Sequence, residues 1–140
     1  MRKQITLIGL VVVALALGGC ASAPPAASST VQVQVRLSEF KIESSLTTFS
    51  KGVPYHFVIT NAGQVPHELY ILPPMSDEGM SMEEIDKTAL TGISANDLLP
   101  GTTKTLDFTF TDAASPGKLE FACHVPGHYA AGMRASVVVQ

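Results

Sequence analysis

The sequence predicts an all-β protein, an antiparallel β-sandwich interrupted by one short helical excursion. Apolar residues alternate with polar ones from Val31 to Ser38, and again around Leu106, Phe108 and Phe110. This alternation has the period of half-buried strands. Turn-forming Gly, Pro and Asn residues separate the runs. About seven short strands joined by such turns are typical of a sandwich.

Seven segments of the chain are predicted as strands. They are Val31–Ser38, Phe40–Leu46, Val53–Asn61, Glu68–Leu72, Lys104–Thr111, Lys118–Ala122 and Ala135–Val139. The turn sequences that separate them are Lys51-Gly52, Asn61-Ala62-Gly63, Pro100-Gly101 and Pro116-Gly117.

The one predicted helix is Ser81–Leu90, in the long gap between the fourth and fifth strands. Acidic residues stand early in this segment and Lys87 stands late, an order that suits the helix dipole. Ser81 followed by Glu84 fits a capping box at the helix start.

The N-terminal segment 1–19 has the form of an export signal. Arg2 and Lys3 precede an apolar run, Ile5–Leu17, which is shorter than the roughly 20 residues needed to cross a bilayer. Leu17-Gly18-Gly19-Cys20 resembles a bacterial lipobox, in which the cysteine is lipidated and becomes the first mature residue. The alternative is an ordinary secretory signal cleaved nearby, with Cys20 incidental.

The predicted domain organisation follows from this signal. Residues 20–30 comprise the lipidated Cys20 and a linker of Ala, Ser and Pro up to Thr30, a composition that favours a flexible tether. Residues 31–140 form the folded domain. Ala21 after the lipidated cysteine, rather than Asp, favours the outer membrane if the cell has two membranes.

The charge of the mature chain bears on its partners. Removal of residues 1–19 takes away two cations, which leaves seven Lys and Arg against 12 Asp and Glu, a net charge near −5. This argues against a nucleic-acid partner, because phosphates need a basic surface. An acidic surface suits a basic protein partner or simply keeps the protein in solution.

The sequence from Cys123 to Met133 points to a metal site. Cys123, His128 and Met133 follow one another at Cys-x4-His-x4-Met spacing in a Pro- and Gly-containing loop between two predicted strands. One thiolate, imidazoles and a weak thioether are the donors of electron-transfer copper sites. Zinc fits less well, because a thioether adds little to a tetrahedral zinc site. If Cys20 is lipidated, Cys123 is a lone thiol in an oxidising compartment, which is consistent with metal binding.

A second imidazole must come from elsewhere in the chain. His67 is the best candidate, because it follows a turn-rich segment and opens a predicted strand, where loops at one end of a sandwich converge. His56 lies inside a strand and is expected to be structural. His124 is adjacent to Cys123, and strand geometry would point its side chain to the opposite side.

These motifs resemble the plastocyanin/azurin cupredoxin superfamily, and the spacing is most similar to rusticyanin- and sulfocyanin-like members. The resemblance implies a Greek-key β-sandwich with one type 1 copper ion. It assigns His67 and His128 as imidazole ligands, Cys123 as the thiolate and Met133 as the weak axial ligand. It also implies that His128 is the electron port, with Val125, Pro126, Tyr129 and Ala130 as an apolar docking surface.

One residue departs from the family pattern. Many relatives have Asn or Ser directly after the first histidine, whereas this chain has Glu68. Its backbone N–H is still able to donate to the Cys123 sulfur, but a carboxylate changes the local electrostatics and with it the reduction potential.

Two weaker signals lie near the predicted helix. Met75, Met80 and Met82 carry thioethers that bind Cu(I), although packing of the helix on the sandwich is the preferred interpretation. Five acidic residues are candidates for a docking patch, although a solvated face is the commoner outcome; they are Asp77, Glu78, Glu83, Glu84 and Asp86.

The function expected from the sequence is that of a single-electron carrier, not an enzyme. The expected partners are a redox protein such as a cytochrome or an oxidase, and the membrane through the lipid anchor; the chain is expected to be a monomer in the periplasm or outside the cell. A rival function is copper tolerance or delivery. A multicopper enzyme is disfavoured, because only His56 and His124 remain for a second centre.

Overall fold

The computed structural model describes residues 29–75, 81–111 and 118–140. The predicted signal segment, Cys20 and most of the linker lie outside these residues, as do Met80, Asp77 and Glu78. In the parts of the chain that are described, no helix has the length and apolar composition needed to cross a membrane.

The described residues form nine strands and one helix, arranged as a β-sandwich. The strands are β1 (Val31–Ser38), β2 (Lys41–Ser44), β3 (Thr48–Phe49), β4 (Pro54–Asn61), β5 (Leu69–Leu72), β6 (Thr91–Ile93), β7 (Thr103–Thr109), β8 (Lys118–Ala122) and β9 (Arg134–Val139). The helix α1 is Met82–Thr88. One sheet has the order β2-β1-β4-β7 and the other the order β3-β9-β8-β5-β6.

The sandwich confirms the predicted fold class, but its sheets are mixed rather than purely antiparallel. β1 runs parallel to β4, and β3 runs parallel to β9. The parallel pairing arises because β3, which lies between β2 and β4 in sequence, belongs to the opposite sheet. The chain therefore crosses between sheets before it returns as β4 beside β1.

The core lies between the two sheets and follows the alternation in the sequence. Val33, Val35 and Leu37 of β1 are buried, whereas the polar residues between them are exposed. Phe49 contacts four other aromatic rings, including those of Phe57 and Phe121. This aromatic centre joins both sheets, because Phe57 lies on β4 and Phe121 on β8.

α1 covers part of the outer face of the five-stranded sheet. The predicted capping box is present, since Ser81 accepts from the Glu84 backbone N–H and the Glu84 carboxylate accepts from that of Ser81. Ile85 is buried in a second apolar cluster with Tyr70 and Leu72 of β5. All four residues of β5 are consequently buried, two on each face.

Candidate metal centre

Three of the predicted ligands meet at one end of the sandwich. One donor atom from each of His67, Cys123 and His128 lies within 4.8 Å of the other two. β5 pairs antiparallel with β8, so the residues just before β5 lie beside those just after β8. This pairing brings His67 and Cys123 together, and the loop that follows β8 returns His128 to the same place.

The nitrogen and sulfur atoms of this cluster are spaced for a shared ion. The Nδ1 atoms of His67 and His128 are 3.3 Å apart. The Cys123 Sγ is 3.4 Å from the His128 Nδ1. Metal–nitrogen and metal–sulfur bonds are about 2.0–2.3 Å long. Two atoms bonded to the same ion at a trigonal or tetrahedral angle are therefore separated by distances close to the 3.3 Å and 3.4 Å seen in this cluster.

Burial controls the protonation of the cluster. His67 and Cys123 are fully buried, whereas His128 is partly exposed. Burial raises the pKa of the Cys123 thiol to about 11, although the backbone N–H groups of Glu68 and Val125 favour the thiolate. Burial and the neighbouring His128 lower the pKa of His67. Without a cation, the thiol and this imidazole are therefore neutral at pH 7.

The loop from β8 to β9 is shaped by its own backbone. Gly127 and Gly132 have φ angles of +83° and +96°, and each immediately precedes a predicted ligand. The Met133 N–H donates to the His128 carbonyl (2.9 Å), and the Cys123 N–H donates to the Met133 carbonyl (3.1 Å). The two glycines allow the left-handed turns that this loop requires.

Met133 lies in the same buried region as Cys123. Its side chain is fully buried in the core cluster that also contains Cys123. The loop thus places a thioether and a thiol in one apolar environment.

Asn61 organises the segment that presents His67, and the sequence indicated only a turn there. It is fully buried, and its side-chain amide donates to the carbonyls of Val65 (2.9 Å) and Leu98 (2.8 Å). Its side-chain oxygen accepts from the Gly63 N–H, and the His67 N–H donates to the same Leu98 carbonyl. A turn-favouring Asn at a strand end was the available signal.

Glu68 links the two segments that carry the ligands. Its side chain is 2% exposed, and its carboxylate accepts a 2.7 Å hydrogen bond from the His124 backbone N–H. Burial raises the pKa of Glu68, while that hydrogen bond opposes the rise. Glu68, the residue that departs from the family pattern, therefore connects the segment that carries His67 to the segment that carries Cys123.

The other two histidines lie apart from the cluster, as predicted. His56 Nδ1 is 2.6 Å from the Asp107 carboxylate, across the β4–β7 pair. His124 stacks on Tyr129 with ring centroids 4.5 Å apart. Tyr129 itself was expected on the docking surface, and that expectation is wrong. It is 6% exposed, because its hydroxyl donates to the buried Glu120 (2.6 Å).

The two weaker sequence signals are resolved in part. Met75 packs against the second apolar cluster, but Met82 is 47% exposed and does not anchor α1. On α1, Glu83 forms an ion pair with Lys87 (2.7 Å), and Glu84 makes the helix cap. These two acids have local structural partners.

The side chains of this centre fit a copper ion. The site combines a buried thiol with two imidazoles whose Nδ1 atoms face one another, and a buried thioether lies in the same region. This donor set matches a trigonal His₂Cys copper site with a weak methionine ligand. Two imidazole nitrogens at hydrogen-bond distance also need a shared proton or a shared cation between them.

Comparison with known proteins identifies relatives of similar size. The chain is 28% identical over 118 residues to the copper-resistant cuproprotein CopI of Rubrivivax gelatinosus, covering 82% of this chain and 70% of the relative. The fold matches an auracyanin from Roseiflexus castenholzii with a TM-score of 0.57, at 20% identity, over 81% of this chain and 99% of that one.

The fold also matches rusticyanin from Thiobacillus ferrooxidans, with a TM-score of 0.55 at 18% identity, over 81% of this chain and 79% of that one. Residues 29–140 match the family model of copper-binding proteins of the plastocyanin/azurin type. Together with the His-Cys-His cluster, this match shows that the chain belongs to the plastocyanin/azurin family of copper-binding proteins, the cupredoxins.

Proposed function

We propose that the protein is a type 1 copper protein that carries single electrons, with His67, Cys123, His128 and Met133 as the ligands. The observation that carries this proposal is the convergence of three donor atoms within 4.8 Å. The burial of Met133 beside Cys123 supports its assignment as the axial ligand.

The fold fixes the ligand side chains in positions suited to electron transfer. Bound copper supplies a one-electron change between Cu(I) and Cu(II). The Cys123 N–H donates a hydrogen bond to the Met133 carbonyl, and the His67 N–H donates one to the Leu98 carbonyl. The ligands are therefore held in place by contacts that do not involve the ion. Full burial of His67 and Cys123 excludes water from the inner side of the site. Electron exchange is fast when the geometry changes little.

The surface around His128 supports docking of a redox partner such as a cytochrome or an oxidase. His128 is the partly exposed ligand, so it offers the shortest route between the site and a bound protein. Exposed apolar residues accompany it: Pro126, Ala130 and Phe40, whose ring lies 5.5 Å from that of His128. A small apolar surface of this kind favours transient association.

The cellular location is proposed from the N-terminal sequence. Export and lipidation at Cys20 would place a monomeric domain outside the cytoplasm and hold it at a membrane surface. Lipoprotein labelling with a radioactive fatty acid, compared between the native chain and Cys20→Ala, tests this location. Label incorporated equally by both chains would contradict it.

Copper tolerance or delivery is the second candidate function. It is favoured by the similarity to a protein described as copper-resistant and by the exposed thioether of Met82. Cu(I) transfer to an acceptor protein and copper-induced expression support this function. Rapid, reversible electron exchange with a cytochrome, measured by stopped-flow absorption, supports the carrier.

The copper site itself is tested by visible absorption and EPR during titration with Cu(II). We expect an intense thiolate-to-copper band and a narrow hyperfine splitting that saturate at one equivalent. Cys123→Ser should abolish the band, whereas His56→Ala, which removes a histidine outside the cluster, should retain it. A colourless protein, or a colour that survives Cys123→Ser, would contradict the proposed site.

A further inference from the structure

The turn that joins β1 and β2 lies against both histidines of the metal centre. β1 ends at Ser38 and β2 begins at Lys41, so this turn consists of Glu39 and Phe40. Neither residue is a ligand.

His67 presents an unsatisfied group on its outer side. Its Nδ1 faces the cluster, while its Nε2 is buried and lacks a hydrogen-bond partner among the described residues. When Nδ1 binds a metal, the ring proton must lie on Nε2, which then becomes a donor. A metal-bound imidazole almost always gives this proton to a carboxylate, a carbonyl or a water, and a buried donor without an acceptor is unfavourable.

The Glu39 carboxylate is close to that nitrogen. A Cβ at Gly63 would lie 2.6 Å from Glu39 Oε1 and 2.7 Å from His67 Nε2. Glu39 Oε1 and His67 Nε2 are therefore separated by no more than the sum of these two distances, which one bridging water spans. Glu39 Oε1 already accepts from the Gln64 N–H, which fixes the carboxylate in place. The absent side chain of Gly63 leaves this space open.

Phe40 makes the second contact under backbone strain. Its φ is +60°, a conformation that Gly or Asn usually provides and that is an outlier for a bulky residue. Its ring is 52% exposed and packs edge-on against the His128 ring, at 5.5 Å and 77°. Strained, exposed apolar residues point to a function in the site they contact.

We propose that the Glu39–Phe40 turn is a positioning element for both imidazoles of the metal centre. Glu39 accepts the Nε2 proton of His67 through one water, and Phe40 limits the motion of the His128 ring. This inference rests on the proposed copper site. Glu39 and Phe40 are positioning residues, because they act on the ligand side chains and not on the ion.

The Glu39 contact is tested in the Cu(I) form, which is diamagnetic and suits proton NMR. We expect the Nε2 proton of His67 to exchange slowly with solvent in the native chain and rapidly in Glu39→Ala. Cu(I) affinity, measured by chelator competition, should fall about 10- to 100-fold in Glu39→Ala, the usual effect of removing such a partner. Glu39→Gln should retain part of the slow proton exchange and part of the Cu(I) affinity that Glu39→Ala loses, since its amide oxygen still accepts a hydrogen bond.

Glu43→Gln is the matched control. It removes a carboxylate from the same hairpin, where Glu43 pairs with Lys41 at the exposed surface. The Cu(I) affinity of Glu43→Gln and the exchange rate of its His67 Nε2 proton should equal those of the native chain. If Glu39→Ala behaves like Glu43→Gln in both measurements, the contact has no positioning function. If the native chain itself forms no blue copper site, the proposed function fails instead, so the two failures are distinguishable.

Phe40→Asn tests the second contact. Asn tolerates a positive φ, so the metal-free variant should unfold at a temperature equal to or above that of the native chain. The Nε2 proton of His128 should nevertheless exchange faster in the Cu(I) form, because the covering ring is lost. Unchanged exchange at His128 would show that Phe40 does not restrain this imidazole.

Discussion

Cys123 illustrates how single residues at this centre depend on their surroundings. Burial favours the neutral thiol, whereas the N–H groups of Glu68 and Val125 favour the thiolate. Burial dominates, and the pKa of Cys123 rises to about 11. A metal that binds sulfur must therefore displace a proton from this residue.

Copper affinity is consequently predicted to rise with pH. Below the raised pKa, metal binding releases one proton from Cys123, so each rise of one pH unit increases the affinity about tenfold. The lowered pKa of His67 keeps that imidazole neutral above pH 7, so it adds no competition. Chelator competition with Cu(I) should show a gain of about 100-fold from pH 7 to pH 9.

Cys123→Ser provides the control for this pH dependence. Its weaker binding should be almost independent of pH over this range, because a hydroxyl does not ionise there. Flat affinity in the native chain would mean that the thiol is already ionised in the metal-free protein.

At the scale of elements, the structure contains two strands that the sequence pattern did not predict. β3 has two residues, too few for alternation to be visible. β6 contains Gly92, and glycine in a strand weakens the local signal. Both strands are defined by their partners, since β3 pairs with β9 and β6 pairs with β5.

Gly92 is predicted to be essential to the packing of β6 on β5. A Cβ at this position would lie 2.2 Å from the Tyr70 ring and 2.7 Å from the Leu69 carbonyl. The carbonyl belongs to the paired strand and has little freedom to move. Gly92→Ala should therefore lower the free energy of unfolding by about 1–3 kcal/mol, measured by urea denaturation.

Thr91→Ala on the same strand is the control for this effect. Thr91 is partly exposed, so its truncation should change the free energy of unfolding by no more than about 0.5 kcal/mol. A loss in Gly92→Ala no larger than that in Thr91→Ala would contradict the close contacts with Tyr70 and Leu69 as the reason for the glycine.

At the scale of the whole molecule, the sequence predicted the sandwich, the capped helix and the loop containing three of the proposed ligands. The alternation and the Cys-x4-His-x4-Met spacing are local signals, and local signals are visible in one sequence. The parallel pairing of β1 with β4 and the hydrogen bond from the Asn61 side chain to the Leu98 carbonyl are not visible in this way. They join segments distant in sequence, and nothing in the local pattern specifies which segments become neighbours.

The same long-range contacts predict that the metal-free protein folds. Met133 and Cys123 belong to the hydrophobic core cluster. His67 is attached to it by the hydrogen bond from its backbone N–H to the carbonyl of Leu98, another residue of that cluster. Copper should therefore add stability to a folded domain rather than induce folding, unlike small zinc domains that unfold without metal. Near-UV circular dichroism of the metal-free protein should show fixed aromatic packing around Phe49.

Addition of copper should then raise the thermal midpoint. Free metal at about 1,000 times its dissociation constant contributes about 4 kcal/mol, because it binds the folded state. For a domain of this size that corresponds to an increase of roughly 15 °C by calorimetry. Cys123→Ser should show the same fold without the increase. A metal-free protein with no near-UV signal would instead mean that the ion organises the core, and that the contacts of Asn61 and Met133 form only after it binds.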